Sequence, residues 1–483
     1  MTLTGSPFLT HAFGERYDSP VPLSLFVLGG AFVVLASFVL VSRREVDDGL
    51  GVAPAIEPFP PGPHGAAAVV GGGLSVTVLA LLVTAGLIGS QEVPENILPT
   101  SFWLVAWVVM PLLVGLLGDF TRSMNPFAAV ARAADSPRLR RLLINRRALA
   151  WPKLLGYWVA AALYLLVVVG ELIVNTTATL PRVTAVGLLG YTVLCAFGGL
   201  VFGAQAWNAR AELFSVLFAT WGKLGWFRFG QAGRNGFAGG LDQPFEPTAS
   251  RVVGVLLLLV SVSFDGLLAT PQWSRFSTGL PTGLEPGSLG GQAVSLLTLV
   301  LLTGLMVAVF GGFATAAGRA ARNLGSGLSA LTGLLPSLLP IAYGYLLAHS
   351  LQYVLINGQL LFPLLGNPLG RGGSLLPYPF DDSYVVNTRI MPTSVVWYVQ
   401  IIVIVGAHVV AVVLAHRHLH LRSSGPLLAR RAEWPWLVAM VGYTMVSLWL
   451  LAQPLAAEHP ADSQAHAAGS VVLQLIPRYA SAG

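Results

Sequence analysis

Apolar residues in this chain come in long runs, without the short alternation of a soluble strand or the one-sided stripe of a soluble helix. Ten runs of roughly twenty residues can be marked: Val21–Val41, Ala66–Ser90, Ser101–Leu117, Leu154–Val174, Val183–Phe202, Val252–Leu268, Gln292–Phe313, Leu331–Tyr353, Ser394–Ala415 and Trp436–Gln453. As a helix, each is about long enough to cross a ~30 Å hydrocarbon core. The pattern predicts an all-α polytopic transmembrane helix bundle of about 10 spans. The eighth run contains Pro336 and Pro340 and is predicted to kink near its inner end, since proline removes a helical hydrogen bond.

Charge gives the bundle a direction. Of 27 Lys and Arg, six (Arg16, Arg182, Arg275, Arg371, Arg389 and Arg478) fall in loops on one side, which leaves 21 on the other. Basic loops stay in the cytoplasm, so the N-terminus and the C-terminus are both predicted outside. The chain then divides into an extracytoplasmic N-terminal arm (1–20), a bundle (21–453) and an extracytoplasmic tail (454–483). The loop 119–153, with Arg122, Arg132, Arg138, Arg140, Arg141, Arg146 and Arg147, is the strongest cytoplasmic marker. Segment 203–251 mixes Trp and Phe with Arg and Lys. Its first half is expected to be a helix in the interface plane and its Gly-rich second half a loop. An outer loop, 354–392, holds Asp381 and Asp382.

Composition agrees with the runs. A chain that is 54% hydrophobic and 10% charged is not an ordinary soluble protein. Its net charge of +6 sits in short loops beside apolar spans, which suits anionic headgroups and argues against a nucleic-acid partner. The single cysteine, Cys195, excludes an intrachain disulfide and Cys-based zinc or iron–sulfur sites. No Walker sequence, GxSxG elbow, HExxH or CxxCH haem motif is present.

Function is therefore sought among ionisable groups in or beside the spans, where each is costly and needs a partner. Glu171, Asp265 and His349 are all predicted in the outer half. Just outside the first span lies His11-Ala-Phe-Gly-Glu15-Arg16-Tyr17-Asp18. These groups, with Asp381 and Asp382, would face one side. Imidazole and carboxylate are what a Zn or Mn site uses without thiolate, and such an ion makes bound water acidic. The candidate ligands are His11, Asp18 and His349; Glu171 and Asp265 are the candidate catalytic carboxylates, and Arg16 the candidate stabiliser of a phosphoryl oxygen. Each also has a plain reading: Glu171 snorkelling to headgroups, Asp265 capping a helix exit, His349 bonded to Tyr353. His408 is expected in the inner half, at a depth that separates it from His349. The run from His416 to His420 is expected to be a solvated, headgroup-contacting helix end, with metal binding as the alternative. Gly199 and Gly203 form a GxxxG pair suited to helix packing.

Three local patterns resemble one family. They are His11 to Asp18 leading into Pro22-Leu23, Ser263-Phe-Asp-Gly266 followed by Ala269-Thr-Pro-Gln-Trp273, and Gly406-Ala-His408 running on to His416. Their order and the loop sizes are similar over most of the chain to the bacterial multi-pass membrane proteins called fenitrothion hydrolases. The resemblance implies P–O ester cleavage in a neutral, lipophilic organophosphorus triester at a bacterial plasma membrane. Two other classes stay open from the residues alone. One is a proton-coupled transporter using Glu171 and Asp265; the other is a membrane subunit of a respiratory or copper-handling complex, with a partner subunit.

Overall fold

The structure is a computed structural model that describes residues 23–41, 65–231, 234–242, 244–322, 325 and 327–451. Among these, every regular element is helical. The principal helices are α1 (Leu23–Val41), α2 (Ala66–Ile88), α3 (Ile97–Leu117), α4 (Pro126–Ala134), α5 (Trp158–Leu172) and α6 (Pro181–Phe202). They continue with α7 (Leu213–Trp221), α8 (Ala249–Leu268), α9 (Leu289–Ala321), α10 (Leu339–Asn357), α11 (Thr393–Arg422) and α12 (Pro426–Leu451). Among the described residues, seven stretches are long and apolar enough to cross a bilayer; they lie in α2, α3, α6, α8, α9 and α11 and in a stretch that begins with α10. The protein is a multi-pass membrane protein built as a helical bundle.

Local chemistry sets the helix ends. The Asn125 side chain accepts from the Phe127 and Ala128 amides and Pro126 opens α4, so orphan donors of the first turn are satisfied. Thr248 and Ser288 cap α8 and α9 in the same way. Gly203, at φ +82°, ends α6 in a conformation that glycine adopts without strain.

Two stretches depart from simple helix. From Thr100 to Val109, α3 is wound as a π-helix. Pro111 follows: it has no N–H for the Trp107 carbonyl and its ring would clash there, so widening the preceding turns relieves the conflict. The eighth apolar run is broken, not merely kinked. Helix Leu328–Leu334 gives way to a 3-10 turn at Leu335–Ser337, and α10 starts afresh at Leu339. The fourth run starts late: residues 151–157 form turns through Pro152 and Gly156 (φ +42°), and α5 begins at Trp158.

Packing divides the helices into two groups. In one, α2, α4 and α6 pack on each other; in the other, α9 packs on α12, α10 on α11, and α1 on both α11 and α12. α8 joins them, touching α5 on one side and α9 and α10 on the other. The basic loops gather at one end. There Trp226 and Phe227 amides bond Leu116 and Leu117 carbonyls, the Leu149 amide bonds Val201, and Arg417 meets Asp242 at 2.9 Å. The opposite end is closed by the loop after α10, whose Leu369 and Pro368 carbonyls accept from Ser90 and Ile97.

The segment expected to lie in the interface plane is largely inside. In its first half Trp207, Phe214, Phe218 and Trp221 are buried, and the exposed aromatics, Trp226, Phe227, Phe229 and Phe237, come after them. The helix Leu213–Trp221 is as apolar as a core helix, and the ring faces are better spent against neighbouring helices, as Phe214 on Phe127 of α4 and Trp221 on Tyr343 of α10, than on headgroups.

Small residues let the helices approach. A Cβ on Gly199 would collide with the Ala131 backbone of α4, whereas Gly190, on the same helix, has nothing within 4 Å. Gly199→Leu is therefore expected to lower stability by about 3 kcal/mol or more, and Gly190→Ala to leave it unchanged. Thermal unfolding of the detergent-solubilised protein would check both.

Asp119, just beyond α3, is 2% exposed and accepts from the Thr121 hydroxyl at 2.7 Å. Burial pushes its carboxyl up from 3.8 to about 6, against the Thr121 hydrogen bonds and the Arg122 charge. A raised carboxyl stabilises the fold fully below its unfolded value, and that contribution is lost as pH rises through about 6. Roughly 3 kcal/mol should disappear between pH 4 and 7. Asp119→Asn should flatten that part of the stability profile, read by unfolding at several pH values.

Candidate functional site

A polar cavity of about 60 Å³ lies in the seam between the two helix groups. Trp107, Val108 and Pro111 reach it from α3, Tyr164, Glu171 and Leu172 from α5, and Leu217 and Trp221 from α7. Ser261, Val262 and Asp265 come from α8, and Leu346, His349 and Ser350 from α10. Its space is enough for a few water molecules and not for an organic ester.

Helix geometry explains why residues so far apart in sequence share it. α5, α8 and α10 all run away from the basic end. Glu171 is thirteen residues past Trp158, Asp265 sixteen past Ala249, and His349 ten past Leu339. At 1.5 Å per residue these rises are roughly 20, 24 and 15 Å. The shorter rise of His349 is compensated because α10 begins deep in the bundle, beyond the break at Leu335–Ser337.

Within the cavity, Asp265 Oδ2 and His349 Nε2 are 2.5 Å apart, and both side chains are nearly buried, at 12% and 10% exposed. If Nε2 carries the ring proton, it donates to Asp265 and a neutral imidazole keeps its lone pair on Nδ1. Tyr345, one turn earlier on α10, stacks on the His349 ring with planes 8° apart. Gly266 makes room for it: a Cβ there would sit 2.7 Å from the Tyr345 hydroxyl. Across the cavity the Trp107 indole N–H donates to Glu171 Oε2 at 2.6 Å. Tyr164 OH and Ser261 Oγ are 2.9 Å apart, and the Tyr164 ring lies 5.3 Å from that of Trp107.

Beside this cavity is a larger apolar chamber of about 390 Å³. α3 separates the two. Its Phe102, Val105 and Met110 face the chamber, while Trp107, Val108 and Pro111 face the polar cavity.

Of the residues singled out in the sequence, Glu171, Asp265 and His349 line this one cavity. His11, Arg16 and Asp18 lie outside the described residues. Asp381 and Asp382 stand on the loop after α10, bonded to Ser383 and Asn367, and do not line the cavity. The expected bond between His349 and Tyr353 gives way to the Asp265 pair. His408 is buried on α11 with Nδ1 2.8 Å from its own Ile404 carbonyl, and takes no part in lining the cavity. Among the described residues, three ligand atoms within 4.8 Å of one another occur at His416, His420 and Glu433, not at the Glu171 cavity. The sequence reading missed Trp107, Tyr164 and Ser261. A signal existed for the first two, since an indole N–H or phenol in mid-span must find an acceptor.

The Asp265–His349 pair can be tested by a double-mutant cycle. Asp265→Leu and His349→Leu should each cost about 3–5 kcal/mol, because each removes one side of a buried polar pair. The double variant should cost clearly less than the sum. Additive losses in thermal unfolding would show that the two groups do not interact. No protein family, curated protein or solved structure matches the chain.

Proposed function

We propose that the polar cavity activates water in an integral membrane hydrolase of lipophilic esters, with organophosphorus triesters as the substrate class. The observation that carries the reading is the 2.5 Å Asp265–His349 contact in a water-sized cavity that Glu171 also lines. A carboxylate behind an imidazole fixes its orientation and supports the cation formed when it accepts a proton. His349 would take the proton of a water as its oxygen attacks phosphorus. The P–O bond to the best leaving group breaks, and that group departs as the phenolate or alkoxide. Glu171, held by Trp107, is the second acceptor for the water. Neutral triesters partition into lipid, and the apolar chamber on the other face of α3 offers them a place beside the site. The substrate's phosphoryl group enters the polar cavity only if α3 or its neighbours move apart. A Zn or Mn ion held by His349 with His11 and Asp18 would add a Lewis acid, and Arg16 a charge for the phosphoryl oxygen; proton transfer to His349 requires neither.

The same reading includes a topology of about ten spans with both termini outside, in a bacterial plasma membrane, with the basic end in the cytoplasm. The cavity then lies in the outer half of the bundle.

A second reading has its own support. Ionisable groups enclosed at a seam between two helix groups, in space for only a few waters, suit the proton relay of a coupled transporter. One comparison separates the two. Purified protein in detergent should release nitrophenolate from a nitrophenyl phosphotriester, and His349→Gln or Asp265→Asn should lower kcat about 100-fold or more. Gly190→Ala should retain full turnover. Absence of turnover, together with pH-driven uptake in liposomes that His349→Gln abolishes, would assign the cavity to a carrier.

A further inference from the structure

At the basic end, the last turns of α11 and the first turns of α12 hold ionisable groups that the polar cavity does not use. His416 and His420, one turn apart on α11, both reach the same carboxylate oxygen of Glu433 on α12. His416 Nδ1 is 2.6 Å from Oε1 and His420 Nε2 is 2.9 Å from it. The ring centroids are 4.2 Å apart. This helix end is not solvated: the side chains of His416 and Glu433 are 4% and 2% exposed, and that of His420 is 15% exposed.

Hydrogen bonding alone does not account for the cluster. Glu433 Oε2 and His416 Nε2 are buried without a hydrogen-bond partner. A buried carboxylate ordinarily spends both oxygens, and leaving one bare is costly. Two imidazoles at i and i+4 with a carboxylate from a facing helix make a donor set that zinc takes, and imidazole favours zinc over harder cations. One ligand atom from each residue lies within 4.8 Å of the other two. Tetrahedral bonds of about 2.0–2.1 Å place ligand atoms about 3.3 Å apart. Glu433 would thus withdraw by less than 1 Å to admit an ion, the two imidazole nitrogens would draw to the same spacing, and the bare carboxylate oxygen could turn onto the ion. Of the nearby arginines, Arg422, two residues past His420, is half-buried and the others are turned elsewhere. Arg417 is drawn to Asp242, His418 bonds the Leu241 carbonyl, and Arg430 and Arg431 are exposed.

We infer that His416, His420 and Glu433 form a Zn2+ site that clips α11 to α12 across the three-residue corner Ser423–Gly425. The role is structural. The ion ties together two helices joined by a short turn, and it gives the bare Glu433 oxygen a partner, while His416, held through Nδ1, keeps its Nε2 facing away.

The test uses full-length protein in detergent, stripped with a chelator and then dialysed against Zn2+ alone. The expected result is one bound ion per chain that depends on this cluster: its affinity falls at least tenfold in His420→Gln and in Glu433→Gln, and is unchanged in Gly190→Ala. Zn2+ should raise the unfolding temperature of the wild-type protein and leave that of His420→Gln where it was. Since His420 is the most exposed of the three, metal-free His420→Gln should unfold with the wild-type protein. Cobalt in place of zinc should give the strong visible absorption of a four-coordinate site, lost in His420→Gln. Failure of the wild-type protein to bind Zn2+, or binding that survives both His420→Gln and Glu433→Gln, would overturn the assignment.

Discussion

In hydrocarbon, Asp265 has no bulk water to fall back on, and the imidazole of His349 at 2.5 Å is what makes its place near the end of α8 tolerable. That single contact crosses from α8 to α10 and so lies on the seam that the rest of the bundle is built around. Glu171 meets the same constraint through Trp107, and Tyr164 through Ser261. Each of these bonds links two helices, so satisfying the polar groups and assembling the seam are one event. Between lipid-exposed helices the hydrophobic effect offers little drive. Polar pairs of this kind, with close approaches such as Gly199 on Ala131, take over that task.

Most of the architecture was legible because the bilayer simplifies the reading. Apolar runs mark helices almost irrespective of which face is buried, and the uneven placement of Arg separates one end from the other. What was not legible follows from the same simplicity. Helices that are apolar all round carry no amphipathic stripe to say which neighbour they meet. Nothing in Leu213–Trp221 distinguishes a helix under the headgroups from one inside the bundle, although the latter is what forms. Pro336 and Pro340 announced a disturbance, but whether a helix bends or stops depends on whether freed carbonyls find partners elsewhere.

The candidate site was legible in its charges and not in its setting. Glu171, Asp265 and His349 stand out by cost alone, since few ionisable residues interrupt the spans. Trp107 and Tyr164 do not, because aromatic residues are at home in a membrane and only their polar tips betray a role. At the other end, His416 and His420 were visible as a pair one turn apart. Glu433 was not seen as their partner, because it comes after a Gly-Pro corner and among arginines. Only the reversal of the chain at that corner returns it to the imidazoles.

The placement of His349 depends on that same end of the bundle. Trp436, three residues past Glu433 on α12, donates its indole N–H to Ser337 Oγ at 2.9 Å. Ser337 closes the 3-10 turn after which α10 starts, so the start of α10 is held from the basic end. A helix that begins one residue earlier or later turns every side chain by about 100°. His349 would then leave Asp265 and face another helix. The break at Pro336 is thus part of the site, even though it lies roughly 20 Å below it: it decides which face of α10 carries the imidazole into the seam.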